Sequence, residues 1–146
     1  MSFIQTFYHI VMATEEHEPC FVGSNRLKLY DDISDVLQGM GCRLVRINAV
    51  KEHLHLLCSM HPDVCLTELV NDVKVSSASL IEKDNLFPEF MRWQDEYWAF
   101  TCSYKDRVAV SKYIERQPTH HRDITFAEEL EAMSKAEGVG RGRKLK

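Results

Sequence analysis

The sequence predicts an α+β fold of the ferredoxin-like type: a split-βαβ antiparallel sheet with helices on one face and a C-terminal tyrosine-bearing helix appended. Three observations predict it. Strand-like and helix-like segments alternate in the order β-α-β-β-α-β. Turn and breaker residues such as Gly41 and Pro118 separate several of them. The 146 residues, 45% of them hydrophobic, supply one core and no second. In this order the first and third strands lie side by side in the middle of the sheet.

Residues 3 to 14, "FIQTFYHIVMAT", are rich in β-branched and aromatic side chains without a breaker and read as a central strand. Ser24 then caps a helix whose apolar positions Leu27, Tyr30, Ile33, Leu37 and Met40 recur at helical spacing, and Gly41 stops it. "CRLVRINAV" and "EHLHLLCSM" are the second and third strands, joined by a turn near residues 50 to 52 that lacks Asn-Gly or Asp-Gly chemistry. A second helix runs from Thr67 to about Lys83 on the face of Leu69, Val70, Val73, Ser77, Leu80 and Ile81. "NLFPEFMRWQDEY" reads as a loop punctuated by Pro88, and "WAFTCS" as a short fourth strand. Asp106 caps a third helix carrying Val110, Tyr113, Ile114 and Gln117, which Pro118 stops. Thr125 with Glu128 is a capping-box signature for a last helix holding Phe126, Leu130 and Met133. Residues 1–135 therefore form one domain, and 136–146, ending in "GVGRGRKLK", a basic tail without core positions that is expected to be disordered.

Composition narrows the function classes. The formal net charge is -4, so affinity for nucleic acid must come from a local basic surface and not from the whole field. Five cysteines, Cys20, Cys42, Cys58, Cys65 and Cys102, are odd in number and contain no C-x-x-C pair, which argues against a disulfide framework and a thiolate zinc site. The apolar N-terminus lacks a basic region and a small-residue cleavage site, and no apolar run reaches the roughly 18 to 20 residues of a membrane helix. A soluble, cytoplasmic protein with no membrane partner is expected.

The chemistry lies in "KEHLHLLCSM". Alternation puts Leu54, Leu56, Cys58 and Met60 on the core face and His53, His55 and Leu57 on the other. An apolar strand gains nothing from imidazole; two histidines sharing one face at this spacing either ligate one divalent ion or are incidental residues of a partly solvated strand, and spacing alone does not choose between the two. Downstream, Tyr113 and Gln117 in "YIERQ" stand four apart, and His120 extends their stripe if the helix passes Pro118.

The combination of "HLH" in "EHLHLLCSM", "LVNDVKVSSASLI", "WQDEYWAFTCSYKD" and "YIERQPTHH" resembles the single-tyrosine HUH transposases, the IS200-like group that includes the REP-associated tyrosine transposases. The likeness runs from about Phe3 to about Met133, in family order. It implies that His53, His55 and Gln117 bind a divalent metal, Mg²⁺ or Mn²⁺, and that Tyr113 is the nucleophile. It further implies nicking and rejoining of single-stranded DNA through a 5′-phosphotyrosine, recognition of hairpins near element ends, and a homodimer. Lys74, within "DVKVSS", is the foremost candidate for DNA binding, ahead of Lys51, Arg92 and the tail residues Arg141, Arg143, Lys144 and Lys146. The alternative is a catalytically silent, hairpin-binding regulator of the same fold; the presence of Tyr113 favours the enzyme.

Overall fold

A computed structural model describes residues 2–121 and 124–139. The basic residues Arg141, Arg143, Lys144 and Lys146, and most of the tail, lie outside the described residues. Four strands, β1 (Phe7–Thr14), β2 (Arg43–Val50), β3 (His53–Ser59) and β4 (Trp93–Cys102), form one sheet in the order β2-β3-β1-β4. Every pairing is antiparallel, and β1 and β3 are central as expected. The helices are α1 (Arg26–Gly39), α2 (Leu66–Asp84), α3 (Arg107–Glu115), α4 (Gln117–His120) and α5 (Phe126–Ala136).

Alternation divides the sheet into two faces. Ile10, Met12, Leu54, Leu56 and Cys58 pack with Leu29, Ile33 and Leu37 of α1 and Leu69, Val70, Val73 and Ile81 of α2 in the main core. The opposite face is covered by the C-terminal helices: Val11 and Ala13 meet Phe126 and Leu130 of α5, while Phe7 and Leu57 meet Ile114 of α3. Both faces of β3 are thus covered, and six of its seven residues are buried.

The β2–β3 turn works without favourable turn residues. Lys51 takes a left-handed conformation at φ 49°, and its carbonyl accepts from the backbone N–H groups of Cys20 and Phe21 at 2.9 and 2.8 Å. The Glu52 carbonyl accepts from the N–H of Thr14 at 2.9 Å. Neighbouring chain therefore holds a turn that local sequence alone specifies poorly.

Several boundaries differ from the sequence reading. Residues 3 to 6 precede the first strand, which begins at Phe7. The fourth strand is ten residues long and begins at Trp93, so "WQDEY" belongs to it and not to the loop. It is an edge strand, and an edge tolerates the charged residues that obscured its pattern. Pro118 does not end the tyrosine helix. The chain breaks at Arg116 (φ -87°, ψ 5°), and Pro118 stands in the first turn of α4, where its missing N–H costs no hydrogen bond. The capping threonine is confirmed, with Thr125 Oγ1 accepting from Glu128 N at 3.2 Å. Ser24 and Asp106 are not side-chain caps; Asn25 precedes α1, and its amide donates to the Leu86 carbonyl at 3.0 Å. All five cysteines are free, and no helix among the described residues is long and apolar enough to cross a membrane.

Candidate active site

On the α3–α5 face, His53 and His55 project side by side from β3 with ring centroids 5.1 Å apart. Both are fully buried, not partly solvated. The cover is specific. The Thr125 cap starts α5 so that Phe126 stacks on His53, centroids 4.0 Å apart and planes at 11°. One turn later, at the helical i+3 position, Glu129 enters the same space, 1% exposed.

Glu129 is the hub. Its Oε1 lies 3.1 Å from His55 Nε2, 3.3 Å from His53 Nε2 and 2.9 Å from His121 Nε2. Its Oε2 accepts from Gln117 Nε2 at 2.7 Å and from the Tyr113 hydroxyl, and lies 3.5 Å from His120 Nε2. Four residues singled out in the sequence, His53, His55, Tyr113 and Gln117, therefore converge on one carboxylate. The break at Arg116 does not separate Tyr113 from Gln117. Two contacts to the edge strand dock this segment: Arg46 Nε donates to Ser111 Oγ at 2.9 Å, and Asn48 Nδ2 donates to the Ile114 and Glu115 carbonyls at 3.0 and 3.3 Å. The latter satisfy acceptors that a helix end leaves free.

The second nitrogen of each β3 histidine is also held. His53 Nδ1 donates to Glu52 Oε1 at 2.9 Å, and His55 Nδ1 faces His9 Nε2 at 2.8 Å. These surroundings move the protonation equilibria apart. Burial depresses His53, but hydrogen bonds to Glu129, Glu52 and Gln117 outweigh it and leave the ring above the ordinary histidine value. For His55 burial wins over the Glu129 hydrogen bond, and the value falls to about 4. His9 falls to about 3, through burial and then the neighbouring His55. Burial would raise Glu129, yet hydrogen bonds from His53, His55 and Tyr113 hold it well below the carboxylate range. Burial and then the Glu129 contact push Tyr113 above an ordinary phenol.

The donor set fits a divalent metal. Two imidazole Nε2 atoms and a Glu129 oxygen lie within 4.8 Å of one another, and the Gln117 carbonyl oxygen is 3.1 Å from His53 Nε2. Partners on both Nδ1 atoms match the outer support usual for metal-binding histidines. A cavity of about 450 Å³ borders the group, lined in part by Lys51, Glu52, His121 and Phe126.

Lys74 is not brought to this group. It stands on α2, which packs against the other sheet face, and its Nζ donates to the carbonyls of Gln94 and Asp95 at 2.8 and 2.9 Å. Sequence reasoning missed Glu129, although a glutamate on the Phe126–Leu130–Met133 face of an amphipathic helix was a visible anomaly. It also missed His9, which alternates with Val11 and Ala13 on the face that β3 shares.

The sequence profile of the family described as "Transposase IS200 like" matches residues 2–117. The ISDra2 transposase TnpA of Deinococcus radiodurans is 26% identical over 119 residues, 77% of this chain and 84% of that protein. The fold resembles the crystal structure of a candidate transposase from Deinococcus radiodurans, with a TM-score of 0.63 at 24% identity over 80% of this chain and 93% of that one. It equally resembles a REP-associated tyrosine transposase bound to a REP hairpin, with a TM-score of 0.63 at 15% identity over 83% of this chain and 72% of the other. The profile ends at Gln117, so α5 and Glu129 lie beyond it.

Proposed function

Since this chain belongs to the IS200-like transposase family, we propose that it cuts and rejoins single-stranded DNA at hairpin-bearing element ends through a 5′-phosphotyrosine formed on Tyr113. The observation that carries this reading is the convergence on Glu129: one carboxylate oxygen faces both β3 histidines, and the other accepts a hydrogen bond from the Tyr113 hydroxyl.

In the reaction, Tyr113 Oη forms a bond to phosphorus as the bond to the 3′ oxygen breaks, leaving a free 3′ hydroxyl. Glu129 Oε2 is the atom placed to pass on the phenolic proton during attack: the departing 3′ oxygen takes up one proton, and the incoming 3′ hydroxyl gives one back to the tyrosine when it is later displaced. Because Tyr113 is raised above an ordinary phenol, its attack needs such an acceptor. His53 and His55, with oxygens from Gln117 and Glu129, would hold Mg²⁺ or Mn²⁺. When bound, that ion supplies polarisation of the phosphoryl oxygens and charge stabilisation on the leaving oxygen. Gln117 is oriented for the task, since its amide N–H₂ is committed to Glu129 and its carbonyl oxygen is thereby turned to His53.

Hairpin recognition is supported by the structural neighbour bound to a REP hairpin. With two of its three N–H donors engaged, Lys74 keeps one for a backbone phosphate on the far face of the sheet. A homodimer, checked by light scattering, and a cytoplasmic location complete the reading.

The test is incubation of the protein and Mn²⁺ with a panel of end-labelled hairpin-bearing single strands. Wild type should form a protein-linked 5′ end, and Tyr113→Phe none. Adduct formation by Tyr113→Phe refutes the nucleophile, and DNA cut by wild type without an adduct refutes the covalent route.

A further inference from the structure

His9 has no part in the chemistry above, yet it is a buried histidine, 7% exposed, on the central strand β1. In the β1–β3 register Val11 faces His55 and His9 faces Leu57, so His9 and His55 are diagonal neighbours on one face. Their rings are 5.0 Å apart, and Phe100 and Tyr113 meet the His9 ring edge-on at 6.2 and 6.1 Å. The ring is thus boxed with its Nε2 aimed at His55 Nδ1, 2.8 Å away.

Two neutral imidazoles in such a contact constrain each other, because one nitrogen must carry the hydrogen and the other must be bare. The Glu129 carboxylate only accepts, so in the metal-free protein His55 carries its hydrogen on Nε2 and its Nδ1 is bare. His9 Nε2–H then donates to His55 Nδ1. Metal on His55 Nε2 requires the reverse, with the His55 hydrogen on Nδ1, donating to a bare His9 Nε2.

We propose that His9 is a positioning residue for His55, and that loading the site requires both rings to change tautomer together. Each ring moves its hydrogen from Nε2 to Nδ1, with no net gain or loss of protons. This gives the two metal histidines different outer partners, a carboxylate behind His53 and a convertible imidazole behind His55. It rests on the metal-site reading above.

Histidine side-chain ¹H–¹⁵N spectra of the wild-type protein, with and without saturating diamagnetic Mg²⁺, test it, beside calorimetric titration of the same sample. The expected result is Nε2–H on both His9 and His55 without Mg²⁺ and Nδ1–H on both with it. Binding by calorimetry with a His9 ring that stays Nε2–H overturns the inference while leaving the metal site intact. Absence of Mg²⁺ binding overturns both. In Mn²⁺ titration, His9→Phe, which fills the ring space without a nitrogen, should weaken binding by about 10- to 100-fold. His9→Gln, whose amide offers either a donor or an acceptor, should recover most of that loss; equal affinity in wild type and His9→Phe also overturns the proposal.

Discussion

Glu129→Gln keeps the shape of the hub and removes its charge. In the wild type this carboxylate is 1% exposed and faces His55, His53, His121, Gln117 and Tyr113. A hydrogen bond to a charged group contributes about 1.5 to 3 kcal/mol, and breaking a buried ion pair costs about 3 to 5 kcal/mol. The glutamine retains one acceptor oxygen, which keeps the loss to the low end, about 3 kcal/mol. For a chain of this size each kcal/mol lowers Tm by roughly 3 to 4 °C, so a fall of about 10 °C is expected in metal-free buffer. The same change should drop the His53 equilibrium below the ordinary histidine value, because Glu129 supplies the largest favourable contact opposing burial there. Circular-dichroism melts and an NMR titration of His53 are the assays. Glu128→Gln is the control: Glu128 itself is exposed, and its capping role survives in glutamine, so the change should cost less than about 0.5 kcal/mol. A Tm shift below about 2 °C together with an unmoved His53 would refute Glu129 as the hub.

Metal affinity should fall as pH falls, because His53 is raised above 6.5 and its Nε2 proton must leave before the nitrogen can ligate. Mn²⁺ titrations in buffers of different ionisation enthalpy should register proton release that grows below the His53 value, and pH-independent affinity between about pH 5.5 and 7.5 would contradict this. In the metal-free protein the sign reverses: a raised histidine adds stability below 6.5, and that contribution is lost as pH climbs through the folded value. On the other face of the sheet, Ser77→Ala leaves the buried Trp93 Nε1–H without its acceptor at 2.9 Å and should cost about 1 to 3 kcal/mol in a melt while leaving Mn²⁺ affinity unchanged.

The parts of this molecule that were legible in the sequence are those set by local periodicity. His53 and His55 stood out because period-2 alternation fixes their common face, and the central position of their strand follows from element order. Tyr113 and Gln117 were legible through spacing and family likeness. Glu129 was not, since its partners come from β3, α3 and α4, and only the packing of α5 across the sheet unites them. His9 was hidden likewise, because its role depends on the β1–β3 register. The start of β4 was misread because "QDE" breaks alternation on an edge strand that packs less strictly. Arg116 was invisible as a break because arginine carries no breaker signal, whereas Pro118 two residues on does and drew the expected boundary to itself.

The docking of α3 has a consequence for assembly. Only Ser103, Tyr104, Lys105 and Asp106 separate Cys102, the last residue of β4, from Arg107, the first of α3. Fully extended, that tether lets Arg107 travel no further than about 17 Å from Cys102. The climb along the helix from Arg107 to Tyr113 adds about 9 Å. A neighbouring copy could use this tyrosine only if its own histidines came within that combined radius extended by the tyrosine side chain, and only after the Asn48 and Arg46 moorings had been released. The reach of the tether therefore confines any exchange of Tyr113 between copies to pairs of molecules that meet around the Cys102 end of β4.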